Sequence, residues 1–427
     1  MTGKPSNELP QFTILGDTFQ PISLGVECGF TAKQWIGDAS KAIGAYVHVP
    51  FCFHKCHYCD FFSIVGKEDQ HEAFVRRLIK ELAFVGPTLQ PLQSIFIGGG
   101  TPTLLSEKLL SEMLEAIQEH LPMLPNIEYS IEANPETVTA QKAAILIANG
   151  INRVSIGAQS FDKELLTQLE RWHEPKNVAR SVALLKQAGM HNISLDLIYA
   201  IPTQTLDQMR TDIETAIALE PTHISCYALI YEPNTPLRTR LDNGTVSRVD
   251  HDVEADMFDT VPVLLAKNGY AQYEISNYAR EGYECKHNVM YWKNQNWWPF
   301  GPAAAGHVAG RRWKNAPRLK AYLNNSALPE VEDVELLSED LQAGESFMMG
   351  LRMLEGMDRA WVDRLLAQSP KRWRDAVIEQ QIGAGLLDWR GEKLILTQKG
   401  LHIADHVISE LLMRADQLAD SSGQAPV

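Results

Sequence analysis

From Gly44 onward the chain alternates short apolar, β-branched runs with longer stretches of helical period. The short runs are Ala45–Pro50, Ser94–Ile97, Ile127–Ile131, Arg153–Ile156, Ile193–Tyr199 and His223–Leu229, each of strand length and bounded by turn residues. Between them, stretches such as Glu72–Phe84, Glu107–His120 and Pro175–Gln187 repeat apolar residues at i, i+3 and i+4, the mark of a helix with one core face. Strands alternating with helices dictate a parallel sheet with right-handed crossovers. Six such units fall short of the eight that close a full barrel. The expected fold class is therefore α/β: an open, partial (β/α)6 barrel or a doubly wound sheet. Either places its ligand site at the carboxyl ends of the strands.

The flanks divide the chain further. Residues 1–42 read as an N-terminal extension, 43–240 as the α/β core, and 241–334 as a connecting region rich in aromatics (Tyr291, Trp292, Trp297, Trp298, Phe300). In a C-terminal domain over 335–420, helices precede two short strands within Gly385–Thr397, and a helix over Lys399–Met413 follows. That outline is a smaller α+β, winged-helix-like unit. It lacks a basic recognition helix, so it reads as a packing domain rather than a DNA reader. Residues 421–427 form a flexible polar tail. The net charge of −14 argues against nucleic acid as a partner. No apolar run approaches the roughly eighteen residues of a membrane span, and the first residues lack the basic-then-apolar order of a signal peptide. A cytoplasmic, enzyme-like protein is expected.

Three of the six cysteines, Cys52, Cys56 and Cys59, crowd into one C-x3-C-x2-C stretch, YVHVPFCFHKCHYCDFFS, directly after the first strand run. A disulfide framework would be denser and the chain shorter. Two readings remain. Structural zinc would need a fourth ligand, from His54 or His57. A [4Fe–4S] cube with three cysteines would leave one iron open to a small molecule. The position at a strand's carboxyl end favours the cube, because α/β proteins place chemistry there. The second strand run ends in IFIGGGTPT, whose glycines let a ligand approach the backbone closely. Later runs carry Glu132 in SIEANPE, Gln159 in SIGAQSF, Arg171 in LERWH and Asp196 in SLDLIYAIP. Singly, each could cap a strand or pair at the surface. Together they suit a zwitterionic, ribose-bearing ligand.

The triplet followed by an aromatic, with the glycine run at this distance, resembles the radical S-adenosylmethionine (SAM) superfamily. Within it, YVHVPFC, GGGTPT, IEANPE, RVSIGAQSFD, LDLIYAIP, YEISNYAR and HNVMYW resemble the branch containing oxygen-independent coproporphyrinogen III oxidase and its relatives, from about Gly44 to Leu412. The resemblance implies a [4Fe–4S] cluster on Cys52, Cys56 and Cys59. It also implies SAM at Tyr46, Gly99, Gly100, Thr101, Glu132, Gln159, Arg171 and Asp196. The oxidase carries a fourth cysteine where this chain has Phe61. That difference argues against the oxidase reaction and makes the chain similar to the HemW-type haem chaperones, which bind haem and pass it to apo-acceptor proteins. An electron donor is implied if SAM is cleaved, and self-association into a homodimer is a further expectation.

His287, in ECKHNVMYW, is the candidate for haem contact, since imidazole is a common axial ligand. The alternative is a hydrogen-bonded histidine that shapes the pocket or domain junction. His307 and Cys285 are weaker haem candidates, while Cys28 and Cys226 read as buried small hydrophobes. Trp297 and Trp298 read as core or interface. After HNVMYW, Gly301, Ala305 and His307 only approximate the glycine-richer ending of relatives.

Overall fold

The computed structural model describes residues 31–324 and 327–412. Cys28, most of the N-terminal extension and the 421–427 tail lie outside them. The six strand runs form β1 (Gly44–Val49), β2 (Leu92–Gly99), β3 (Met123–Ala133), β4 (Arg153–Gln159), β5 (Asn192–Tyr199) and β6 (His223–Ala228), in parallel pairs and in sequence order. The crossovers carry helices α1 (His71–Val85), α2 (Glu107–His120), α3 (Ala140–Ala148), α4 (Lys163–Gln168), α5 (Pro175–Gln187) and α6 (Leu206–Ala218). This is the open six-unit core that the alternation predicts.

Both edges of that core are extended. Trp297–Phe300 pairs in parallel with β1, and the antiparallel strands Ala305–Val308, Arg311–Asn315 and Val331–Leu336 continue outward from it. At the other edge Asn277–Ala279 pairs antiparallel with β6 and with Ala271–Gln272. With the six core strands, these six make one twelve-stranded sheet. Gly301, with φ at +86°, lies where a Cβ would come 2.5 Å from the His48 carbonyl oxygen, so only glycine lets this segment press against β1. Trp298 is core, edge-on to Trp313.

Period-two alternation splits the two faces of the core strands. Ala45, Val47, Val49, Ile95, Ile97, Ile131, Val154, Ile156, Leu195, Leu197 and Ile224 all belong to one buried apolar cluster shared with the helices. The intervening residues face the concave side and are mostly polar: Tyr46, Ser94, Glu128, Ser130, Glu132, Arg153, Ser155, Ser194, Asp196, His223 and Ser225. A closed (β/α)8 barrel fills this space with Val, Ile and Leu. Here the interior is a polar lumen.

A separate apolar cluster includes Phe347, Met357, Val362, Leu394 and Val407 and defines the C-terminal unit. Its sheet is three-stranded and antiparallel, Met357–Asp358, Lys393–Leu396 and Leu387–Arg390, packed with helices. The single helix expected over Lys399–Met413 is two short ones, Gln398–His402 and Ala404–Ser409. The ladder breaks at Ile403, whose φ of −126° is outside the helical range. Gly400 is wedged against the Leu386 carbonyl.

Candidate functional site

The three-cysteine loop begins where β1 ends. Its backbone is tied down by Cys52 N–H donating to Ile64 O at 3.1 Å, Ile64 N–H to Pro50 O at 2.7 Å, and Cys59 N–H to Cys56 O at 3.2 Å. Cys52, Cys56 and Cys59 are all free thiols. The Thr101 hydroxyl lies 3.7 Å from Cys52 Sγ, and Arg171 Nη1 lies 3.6 Å from Cys56 Sγ. Burial pushes the Cys52 thiol up and the Cys59 thiol up to about 12, so a cationic centre is needed to hold them as thiolates. Three free thiols on one loop can hold a multi-iron cube and leave one iron open to a small molecule.

The glycine run closes the next wall. A Cβ on Gly98 would meet Glu132 Oε2 at 2.7 Å, and one on Gly100 would meet the Phe51 carbonyl oxygen at 2.6 Å. Gly99, with φ at +101°, has the His48 ring where a side chain would stand. Gly99 N–H donates to Glu132 Oε2 at 3.0 Å. Gln159 sits at a register shift at the end of β4, with φ at +62°. A bulge of this kind re-aims a side chain, and its strain marks functional positions. Gln159 Nε2 and Arg171 Nη2 both reach the space above Gly157, and Arg171 Nη2 donates to Gly157 O at 3.0 Å. Arg171 Nε is buried with no partner.

The carboxylates complete the wall. Asp196 accepts from Ser155 Oγ at 3.0 Å on each oxygen and from Ser194 Oγ at 3.3 Å. Burial raises its carboxyl above the ordinary value. Burial, reinforced by the nearby Asp196, also lifts Glu132 to about 7. Tyr46, whose hydroxyl lies 3.2 Å from His48 Nδ1, stands beside them. The strand-end residues singled out in the sequence thus line one chamber, next to the cysteine loop. Its donor set has carboxylates for cationic and hydroxyl groups, a guanidinium for a carboxylate, and glycine backbone for close approach.

At the amino end of the strands, the helix Lys286–Trp292 closes the lumen. Glu128 on β3 accepts from the backbone N–H of Lys286 at 2.8 Å and of His287 at 3.1 Å, and Cys285 Sγ lies 3.4 Å from it. His287 is fully buried. Its Nδ1 bonds Ser94 Oγ at 2.9 Å and its Nε2 bonds Tyr291 Oη at 2.8 Å. Both ring nitrogens are engaged, and burial drops the ring to about 3. Haem ligation by His287 would exchange one of these two buried hydrogen bonds for iron. His307 is buried, with Nδ1 on Gln295 O, and Cys285 and Cys226 are buried thiols.

Residues not singled out in the sequence connect the two ends. Ser194 Oγ, already on Asp196, lies 2.8 Å from His223 Nδ1, and His223 Nε2 lies 2.9 Å from Tyr273 Oη. That hydroxyl accepts from Cys285 N–H at 3.4 Å. Arg153 is buried, makes no ion pair among the described residues, and has its Nη2 3.4 Å from His223. A continuous hydrogen-bonded chain therefore runs from Asp196 to the His287 helix. Polar residues at every second position of IEYSIE, RVSI and HISCYA are the signal that could have found it.

Residues 46–216 match the family model described as the radical SAM superfamily, and 337–403 match the HemN C-terminal domain. The chain is 35% identical to heme chaperone HemW of Lactococcus lactis, over 87% of this chain and 98% of that one. Heme chaperone HemW of Bacillus subtilis is 34% identical over 86% and 98%, and that of Escherichia coli 36% over 74% and 84%. Among solved structures, the coproporphyrinogen III oxidase HemN of Escherichia coli superposes with a TM-score of 0.77 at 18% identity, covering 91% of this chain and 96% of that one. That likeness speaks to the fold alone.

Proposed function

From the premise that this chain belongs to the HemW family of the radical SAM superfamily, we propose that it is a haem chaperone. It binds haem and transfers it to apo-acceptor proteins on a scaffold built for a [4Fe–4S] cluster and SAM. The observation that carries the reading is identity of about a third along 98% of the length of curated heme chaperones.

Cys52, Cys56 and Cys59 would hold the cluster, and SAM would occupy the chamber of Tyr46, Gly99, Gly100, Thr101, Glu132, Gln159, Arg171 and Asp196. The residues fit these groups: free thiols on one loop, an orphaned Arg171 Nε, and a glycine wall that any side chain would fill. When bound, cluster and SAM supply one-electron reductive chemistry. The protein's part is positional. Gly98–Gly100 allow close approach, Glu132 and Asp196 hold cationic and hydroxyl groups, and Arg171 balances thiolate and carboxylate charge. An electron donor is needed only if SAM is cleaved.

Phe61, exposed where the oxidase has a cysteine, favours the chaperone over a coproporphyrinogen enzyme. No described helix is long and apolar enough to cross a membrane. The test is an anaerobic incubation of reconstituted protein with coproporphyrinogen III, SAM and reductant, run beside a haem titration. Haem binding without product supports the proposal, and product formation overturns it.

A further inference from the structure

Gln159 is held in a conformation that glutamine does not adopt by itself. Its φ is +62°, and Ser160 N–H donates to Ala158 O at 2.7 Å, an i→i+2 bond that closes a three-residue γ-turn around it. With a positive φ at its centre, this is the rare, strained form of that turn. Such a residue persists only where its surroundings over-determine it, and it gathers where a side chain has a direction to keep. Here the direction is over Gly157, where Gln159 Nε2 reaches the same space as Arg171 Nη2.

The group that over-determines it lies outside the sheet, on α6. Asp212 is 4% exposed, and its two oxygens take the two residues that follow the turn. Ser160 Oγ donates to Oδ2 at 2.7 Å and Phe161 N–H to Oδ1 at 2.7 Å. The same Ser160 Oγ accepts from Asp162 N–H at 3.0 Å. The buried Gln204 joins from the β5 side. Its Oε1 accepts from Ile201 N–H at 3.2 Å, and its Nε2 donates to Asp212 Oδ2 at 3.5 Å. Ala200 and Thr203, which flank Ile201 and Pro202, also have left-handed φ, +58° and +72°. Three of the twelve non-glycine residues with left-handed φ among the described residues thus adjoin groups tied to one buried carboxylate.

Burying that carboxylate is itself unfavourable: burial lifts it to about 6, against the pull of Ser160 and Phe161. A loop that needed only a turn could use glycine at position 159, with neither strain nor buried charge. Strain and charge together fix a side chain that glycine lacks. We propose that Asp212, assisted by Gln204, is a positioning residue of the ligand chamber: from the helix layer it locks the γ-turn that aims the Gln159 amide at the ligand beside Arg171. The proposal rests on the reading of this chamber as the SAM site and adds to it a residue that touches no ligand. Asp212 shares no element with any chamber residue, so its effect on binding passes through the loops it clamps.

The test is a double-mutant cycle on the reconstituted full-length protein, with SAM affinity measured by equilibrium dialysis and bound iron counted beside it. Asp212→Asn keeps the volume but leaves one acceptor oxygen for Ser160 and Phe161, and should weaken SAM binding about tenfold; Gln159→Ala should do about the same. Because Asp212 acts through Gln159, the two changes together should also lose about tenfold rather than about a hundredfold, with iron content at the parent level throughout. Ser160→Ala removes one of the two short bonds and should show the same non-additivity at a smaller loss, which keeps the test open should Asp212→Asn not fold. Parent-like binding by Asp212→Asn, or a hundredfold loss in the pair, overturns the proposal, and so does loss of iron in Asp212→Asn alone. Parent-like binding by Gln159→Ala refutes the chamber reading at this position, and the proposal with it.

Discussion

Replacing Glu132 by glutamine tests the chamber through its protons. Burial first, and the neighbouring Asp196 second, lift this carboxyl from 4.5 to about 7, against the pull of Gly99 N–H, Arg153 and Arg171. Below about pH 7 the ligand-free protein therefore keeps Glu132 protonated, and a cationic ammonium group must expel that proton on binding. If the bound carboxyl returns to its ordinary range, SAM affinity rises about twentyfold between pH 5.5 and 7.5 and then levels off. The same shift has a stability counterpart. A raised folded-state value favours the native protein fully below 4.5, and that advantage disappears as pH climbs through about 7, worth about 3 kcal/mol. Glu132→Gln should thus bind SAM weakly at every pH, with a much flatter profile, and its ligand-free form should outlast the parent in urea above pH 7. Calorimetry of the reconstituted protein in buffers of different ionisation enthalpy measures the released proton directly. A parent profile flat from pH 5.5 to 7.5, or an equal slope in the variant, would refute the reasoning.

Gly99→Ala places a methyl group against the His48 ring at a φ that alanine resists, a strain of about 1–3 kcal/mol; equilibrium dialysis should show SAM binding lost while iron loading persists. Tyr273→Phe removes the hydroxyl between His223 and Cys285 and should cost about 1–3 kcal/mol in urea unfolding, because His223 Nε2 is left buried and unpaired. In the C-terminal unit, Arg374 is fully buried and paired with Asp340, so Arg374→Met should destabilise that unit by about 3–5 kcal/mol in thermal unfolding. The triple variant Cys52→Ser/Cys56→Ser/Cys59→Ser should lose bound iron, and unchanged haem transfer in it would rule out a necessary role for the cluster.

The core was legible because its two periods are clean. Val47, Ile95 and Ile131 face the helices at every second position, while α1, α2 and α5 repeat at 3.6. The chamber was legible through motif residues that end strands. The alternation of polar residues in the strands hinted at the chain of Ser194, His223 and Tyr273, but Tyr273 lies outside any strand and about fifty residues from His223, so its place in the chain was hidden. The extra strands on the β1 side were missed for a different reason. Trp297–Phe300 is only four residues long, too short for alternation to show, and its partner lies far away in sequence. For His287, the chain gives a motif but not its direction. Only its i, i+4 spacing from Tyr291 hinted that the ring would be occupied within its own helix.

The pairing of Trp297–Phe300 with β1 also bears on how the chain is made. β1 leaves the ribosome with its outer edge bare, and about 250 residues must follow before the strand that covers it arrives. At 5–20 residues per second this interval lasts about 12–50 s. During it, an exposed strand edge sits directly beside three unligated thiols, a combination open to both edge-to-edge association and oxidation. A chain stopped before Trp297 would lack the strand that pairs with this edge. The aromatic segment after the HNVMYW helix is its lock.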